Sequence, residues 1–240
     1  VILLDLPGFF LVLGSMAPTT IALIWGLRRA GVALRAASAL HPFEHRLIPY
    51  LGMALLGLVV ILTQLAFLLR EFMPDTELLD QSMGALTSST AGILFVVVLG
   101  PFLEELLFRG LILRGFLLNY SWLKGLVLSS LVFAGFHVMP SQLLPTFVVG
   151  LFVGWLYIRT RSLWPSVLVH WFYNGLLVFL QLSGGSETEP SEKPETIPSA
   201  VVLGAVMALV LALWRIQRLP EAGTARRSRK TRRGSRHLIE

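Results

Sequence analysis

The sequence predicts an all-α, polytopic helical membrane protein with about seven transmembrane helices. Three observations carry that prediction. The 240 residues are 55% hydrophobic and only 14% charged, with a mean hydropathy of +0.72, whereas soluble domains are about a quarter charged. Seven apolar stretches approach the ~20 residues that a span requires. Lys and Arg are distributed unevenly between the loops that join them, as membrane topology demands.

The first stretch, residues 7–27, is preceded by Asp5 and by no basic residue. It therefore reads as a retained span rather than a cleavable signal peptide. The second is 48–69. The third, 91–113, contains Pro101, which removes a backbone donor and is expected to kink the helix. The fourth and fifth, 123–139 and 143–158, are short and separated by Met139, Pro140 and Ser141, as in a tight helical hairpin. The sixth and seventh are 163–182 and 199–215. All are continuous and none alternates, so they are helices rather than barrel strands. The organisation is N-terminal spans over 1–87, a core over 88–182, an acidic flexible loop over 183–198, a last span over 199–216 and a basic disordered tail over 217–240.

With the N-terminus outside, the inside loops carry Arg28, Arg29, Arg35, Arg46, Arg114, Lys124, Arg159, Arg161 and the basic tail. The outside loops carry only Arg70 and Lys193, so the C-terminus is cytosolic. Nine of the 20 basic residues lie between Arg215 and Arg236, directly after a span. That placement reads as contact with anionic membrane lipid and not with nucleic acid, whose binders carry a basic stripe on a folded domain. Cysteine is absent, which excludes disulfides, thiolate catalysis and Cys-rich zinc sites.

Ionisable groups inside spans are costly and point to function. In the third span, Glu105 and Arg109 are four residues apart and share a helical face, where they can pair. Glu104 is turned about 100° away and meets Phe108 at the same spacing. One glutamate is thereby neutralised and the other left unpaired, a split that acid/base chemistry uses. The bland alternative is a charge cluster at the membrane edge with Arg109 snorkelling to water. His137 ends the fourth span after Gly135, a small residue that permits close helix approach, and its alternative role is an interhelical hydrogen bond. His170 and Asn174 lie at i and i+4 on the sixth span, where the alternative is a polar clamp between helices. Together the three segments supply carboxylates, imidazoles, an amide and a guanidinium, a set able to activate water and bind an oxyanion.

These segments resemble the motifs of the CPBP/ABI family of intramembrane endopeptidases, the type II CAAX prenyl protease-like proteins. Glu104-Glu105 with Arg109, Phe133 with His137, and His170 with Asn174 occur complete and in family order over residues 88–182. The resemblance implies a catalytic core that hydrolyses membrane-associated or prenylated, CAAX-type peptides and is reached from the cytosolic side. It implies Glu104 as general base assisted by His137, His170 and Asn174 as oxyanion donors, and Glu105–Arg109 as an orienting ion pair. The partners it implies are a peptide or lipidated-protein substrate and membrane lipid. Glu104, His137 and His170 could ligate zinc with one position open. The cofactor is otherwise unknown, and metal-free chemistry is favoured because the sequence has no His-Glu-x-x-His segment. A proton-coupled transporter and a catalytically idle scaffold or immunity factor are the competing readings.

Depth poses a difficulty. Straight helices put His170 about seven residues, or roughly 10 Å, from the cytosolic end and His137 about 14 residues, or roughly 20 Å. Convergence then requires the fourth helix to start deeper or to tilt strongly.

The tail from Arg226 to Arg236 holds seven basic residues in eleven positions, each worth about 1 kcal/mol near an anionic surface. Truncation after Leu219 is expected to weaken salt-sensitive binding to anionic liposomes while leaving turnover per folded molecule unchanged. Loss of turnover in a well-folded truncated protein would show that the tail recruits substrate.

Overall fold

The computed structural model describes residues 6–69, 81, 84–137, 140–183 and 197–219. The acidic segment 70–80, most of the acidic loop and the basic tail from Pro220 onward lie outside the described residues.

The described residues are helical, without strands, and each predicted span corresponds to a helix. These are α1 (Leu6–Ala30), α3 (Ile48–Leu69), α4 (Thr90–Asn119), α5 (Trp122–Phe136), α6 (Pro140–Thr160), α7 (Trp164–Leu182) and α8 (Ser199–Arg218), with a short α2 (Leu34–Ser38) between the first two. Among the described residues five helices are long and apolar enough to cross a membrane: His45–Ala66, α4, Gln142–Thr160, α7 and α8. The exposed side chains along them are large and apolar, among them Leu56, Phe172, Phe179, Leu203 and Met207, as lipid-facing surfaces require. The chain is an integral membrane protein of the all-α class.

The fourth span departs from expectation. It ends at Phe136 rather than 139, after 15 residues, about 22 Å of helix against the ~30 Å of hydrocarbon to be crossed. His137 caps it, so the imidazole is placed inside the bundle. Gly135 is not the point of close approach either, since nothing lies within 4 Å of where its Cβ would stand. The α5–α6 contact is made by Gly154 against Leu126 and by Gly150 against Phe133 and Ser130.

Pro101 does not break α4. The helix instead widens into π-helical turns on either side, at Phe95–Leu99 and Leu106–Leu113, the irregularity that recurs at functional sites. Gly100 N–H bonds to Phe95 O, five residues back. In that register the missing donor of Pro101 leaves Val96 O without its helical partner.

The depth difficulty is resolved at α7, not α5. Ala37 O rests against Gly110, where no Cβ would fit, and Leu163 lies beside the same glycine. Arg114 donates to Ala36 O, Leu163 N–H to Ala39 O and Ser162 Oγ to His41 O. The α2 segment therefore folds over the start of α7, and Ser162 and Leu163 are fully buried. From that common level Glu104 is six residues up α4 and His170 seven residues up α7, about 9 and 10 Å at 1.5 Å per residue. Gly110 lies nine residues before the end of α4, so α7 begins about 13 Å deep and His170 stands about 24 Å from the basic end, near the roughly 22 Å of His137 after the 15 residues of α5.

The last helix, α8, packs against α3 in one apolar cluster that includes Leu51, Leu55, Leu58, Ala212 and Ile216. Ile197 N–H donates to Gln64 Oε1, and Arg159 on α6 donates to Leu219 O. Gly57 permits this approach, because a Cβ there would sit 2.6 Å from Ala205 O. Gly57→Leu is expected to pry α8 from α3 and to destabilise the protein by about 1–3 kcal/mol, the usual scale of overpacking. A thermal melt in detergent checks this, and an unchanged midpoint would contradict the packing.

Candidate active site

The polar groups of α4, α5 and α7 meet around one ring, that of Phe133. Arg109 Cζ lies 4.3 Å from its centroid. The rings of His137 and His170 make edge contacts at 5.0 and 5.8 Å.

Beneath this ring, Glu105 Oε1 accepts from Arg109 Nη1 at 3.0 Å and lies 2.9 Å from His170 Nδ1. Arg109 Nη2 donates to Gly150 O on α6 at 3.2 Å. Glu105 is 0% and Arg109 1% exposed, so Arg109 does not snorkel to water. The pair locks α4, α6 and α7 together. Its satisfaction is incomplete, because Glu105 Oε2 and Arg109 Nε have no hydrogen-bond partner among the described residues.

The pair fixes a tautomer. An ionised carboxylate only accepts hydrogen bonds, so the proton of His170 resides on Nδ1 and Nε2 faces elsewhere. Nε2 lies 3.7 Å from Glu104 Oε2, beyond a direct hydrogen bond. His137 Nδ1 lies 3.1 Å from Phe133 O. A carbonyl also only accepts, so this nitrogen too carries the hydrogen. Asn174 Nδ2 donates to Val96 O at 2.9 Å, the carbonyl that Pro101 leaves free. The clamp reading of Asn174 is thus realised for one of its two N–H bonds. Trp171 Nε1 donates to Val98 O in the same widened stretch.

Glu104, His137, His170 and Asn174 all line one cavity of about 550 Å³. Glu105 and Arg109 form no part of its lining and lie beneath it. The cavity wall continues past Tyr173 and Leu177 to Gln181 at the end of α7, to Gln142 at the start of α6 and to Leu86 ahead of α4.

Among the described residues no three His, Asp or Glu side chains are grouped as metal ligands. Glu104 and His170 are neighbours, and His137 and His170 each hold Nδ1 against an oxygen, Phe133 O and Glu105 Oε1, which leaves Nε2 of each ring free.

Some of this could not be read from the sequence. The carbonyls of Val96, Val98 and Gly150 became acceptors through π-turns and helix proximity, which leave no residue signature. Trp171 and Tyr173 stand within the sixth-span polar segment and were legible only as aromatics on a helix. The pairing of Glu104 with His170 rather than with His137 follows from the depth of α7.

Residues 86–176 match the sequence profile of the type II CAAX prenyl endopeptidase Rce1-like family, which bears out the resemblance carried by the three motifs over that segment. The chain is 29% identical over 85 residues to a Bacillus subtilis (strain 168) protein named "Putative membrane peptidase YdiL", covering 35% of each chain. It is 32% identical over 126 residues to an "Uncharacterized 24.3 kDa protein" of Escherichia coli, covering 50% of this chain and 54% of that one. It therefore spans about a third and about half of the length of these curated relatives. No solved structure matches.

Removing one partner of a buried ion pair costs about 3–5 kcal/mol, because the other charge is left uncompensated. Arg109→Ala is accordingly expected to lower folded yield and thermal stability by that order. Glu105→Gln should also be less stable while retaining some turnover. A stable Arg109→Ala protein with full-length α4–α6 contacts by cross-linking would contradict the locking role.

Proposed function

We propose that the protein is an intramembrane endopeptidase that hydrolyses membrane-associated peptides with water activated by Glu104 and His170. The observation that carries this reading is the arrangement Arg109–Glu105–His170–Glu104, which ends in two acceptor atoms 3.7 Å apart at the base of a cavity. Glu105 holds the His170 proton on Nδ1, so Nε2 is an acceptor, as is the Glu104 carboxylate. A water about 2.8 Å from both donates one hydrogen to each. Its lone pairs are then directed away from both groups and toward a carbonyl carbon in the cavity.

The chemistry follows the base–orienter pattern of nucleophile activation. Glu104 takes the proton of the water as its oxygen bonds to the scissile carbon. The carbonyl oxygen becomes an oxyanion, which the remaining N–H of Asn174 stabilises, together with His137 whenever its Nε2 carries a proton. The C–N bond then breaks, and Glu104 returns the proton to the leaving amine. The two histidines exchange the roles that the family resemblance implies, because it is His170 that the buried carboxylate orients toward Glu104. The family profile over 86–176 supports peptide hydrolysis as the reaction class. The apolar walls of the cavity suit a membrane-borne peptide, and lipidated, CAAX-type tails are among the substrates to assay.

A proton-coupled transporter would also place carboxylates and histidines inside spans. The fully buried layer beneath Glu104, which includes Glu105, Phe108, Leu163 and Val167, favours hydrolysis over passage. The proposed steps run through side chains alone.

Glu104→Gln keeps the shape and removes the base. It is expected to fold normally and to lose about 10²-fold or more in kcat, the usual scale for a general base. Purified protein assayed with a quenched membrane peptide, with and without a chelator, checks this. Full turnover by Glu104→Gln would refute the mechanism.

A further inference from the structure

We infer that the cavity takes its peptide from the non-cytosolic face of the membrane, so that its substrates are translocated or outer-leaflet peptide segments rather than tails presented in the cytosol. This rests on reading the cavity as the peptidase site. It reverses the side of access that the family resemblance implies.

Two independent observations carry it. The first is where the basic residues fall. Arg28 and Arg29 end α1, Arg35 lies in α2, Arg46 precedes α3, Lys124 begins α5, Arg159 ends α6, and Arg215 and Arg218 end α8. All belong to one end of the bundle, the end at which α4 finishes and α7 starts. Lys and Arg mark the cytosolic side of membrane proteins. The segments of sequence that join the helices at the other end contain only Arg70 and Lys193.

The second observation is which way the cavity runs. Its lining uses Leu86, Phe95 and Glu104 from the first half of α4 and the chain before it, Gln142 from the start of α6, and His170 and Gln181 from α7. Every step away from Glu104 leads toward the end poor in basic residues. In the opposite direction the packing is closed. Glu105, Arg109, Phe108, Leu113, Ser162, Leu163, Ser166 and Val167 are each at most 1% exposed. The folded-over α2 segment covers Leu163 and Gly110 from the basic side. Among the described residues, a peptide arriving from the cytosol meets a packed floor, whereas one arriving from the other face meets a mouth lined by Leu86, Gln142 and Gln181.

These 240 residues contain no cysteine, which makes this directly measurable. Single variants Gln142→Cys and Gln181→Cys test the mouth, and Asn119→Cys and Ala33→Cys test the basic end, each in the full-length chain. They are treated with a membrane-impermeant maleimide in right-side-out spheroplasts and in inverted vesicles. The expected result is labelling at 142 and 181 in spheroplasts only, and at 119 and 33 in inverted vesicles only. Labelling at 142 and 181 from the inverted side, or labelling at 119 from outside, would overturn the inference. Absence of labelling at both mouth positions from either side, in protein whose melting matches the parent, would overturn it as well. The labelling reads access whether or not anything is hydrolysed, so its failure is distinct from failure of the Glu104→Gln assay.

Discussion

The ion pair between Glu105 and Arg109 is the interaction on which the rest of the site depends. In an apolar interior a lone charge is expensive, and a paired one still needs its remaining hydrogen-bond capacity filled. Here the filling groups come from other helices: Gly150 O from α6 and His170 Nδ1 from α7. The cost of burying the charges is therefore offset only when three helices are in register. That requirement converts an unfavourable burial into a positional constraint. It also sets the tautomer of His170, and so the chemical character of the atom that faces Glu104.

Phe133 and the π-turns of α4 make that constraint geometrically workable. The ring gives the guanidinium a face to lie against, and it separates the two imidazoles at centroid distances of 5.0 and 5.8 Å. The π-turns flank Pro101, and Val96 O and Val98 O in that stretch accept from Asn174 and Trp171. A regular α-helix would have freed Val97 O, four residues before Pro101, in place of Val96 O. Irregular backbone in a membrane is tolerated where protein groups restore its hydrogen bonds, and here the groups that restore them also line the cavity.

The helices were legible because their apolar runs are long, and the pairing of Glu105 with Arg109 was legible because an i, i+4 spacing has one geometric meaning. The unpaired state of Glu104 followed from the same helix. The choice of histidine partner was not legible. It depends on how far α7 is sunk, which is set by Ala39 and His41 capping Leu163 and Ser162 from a segment that reads as an ordinary loop. The shortness of α5 was visible only as a weak run before Pro140. The direction of the cavity was hidden for a related reason. Sequence locates polar residues along each helix but not which half of the bundle is packed solid, and that is decided by side chains such as Leu113, Leu163 and Val167 whose types are unremarkable.

A cavity that is open at one end and packed at the other connects its interior to a single aqueous phase. Water can reach the middle of the bilayer there without any continuous path for ions, so the hydrolysis proposed for this site need not dissipate the gradients across the membrane. The electric field is also redistributed. A transmembrane potential acts on charge at about 2.3 kcal/mol per elementary charge per 100 mV, and it falls mainly across the dry part of the path. That dry part is the floor containing Glu105, Arg109 and the residues beneath them. In the proposed reaction, protons exchanged at Glu104 therefore come from, and report the acidity of, the one compartment into which the cavity is inferred to open.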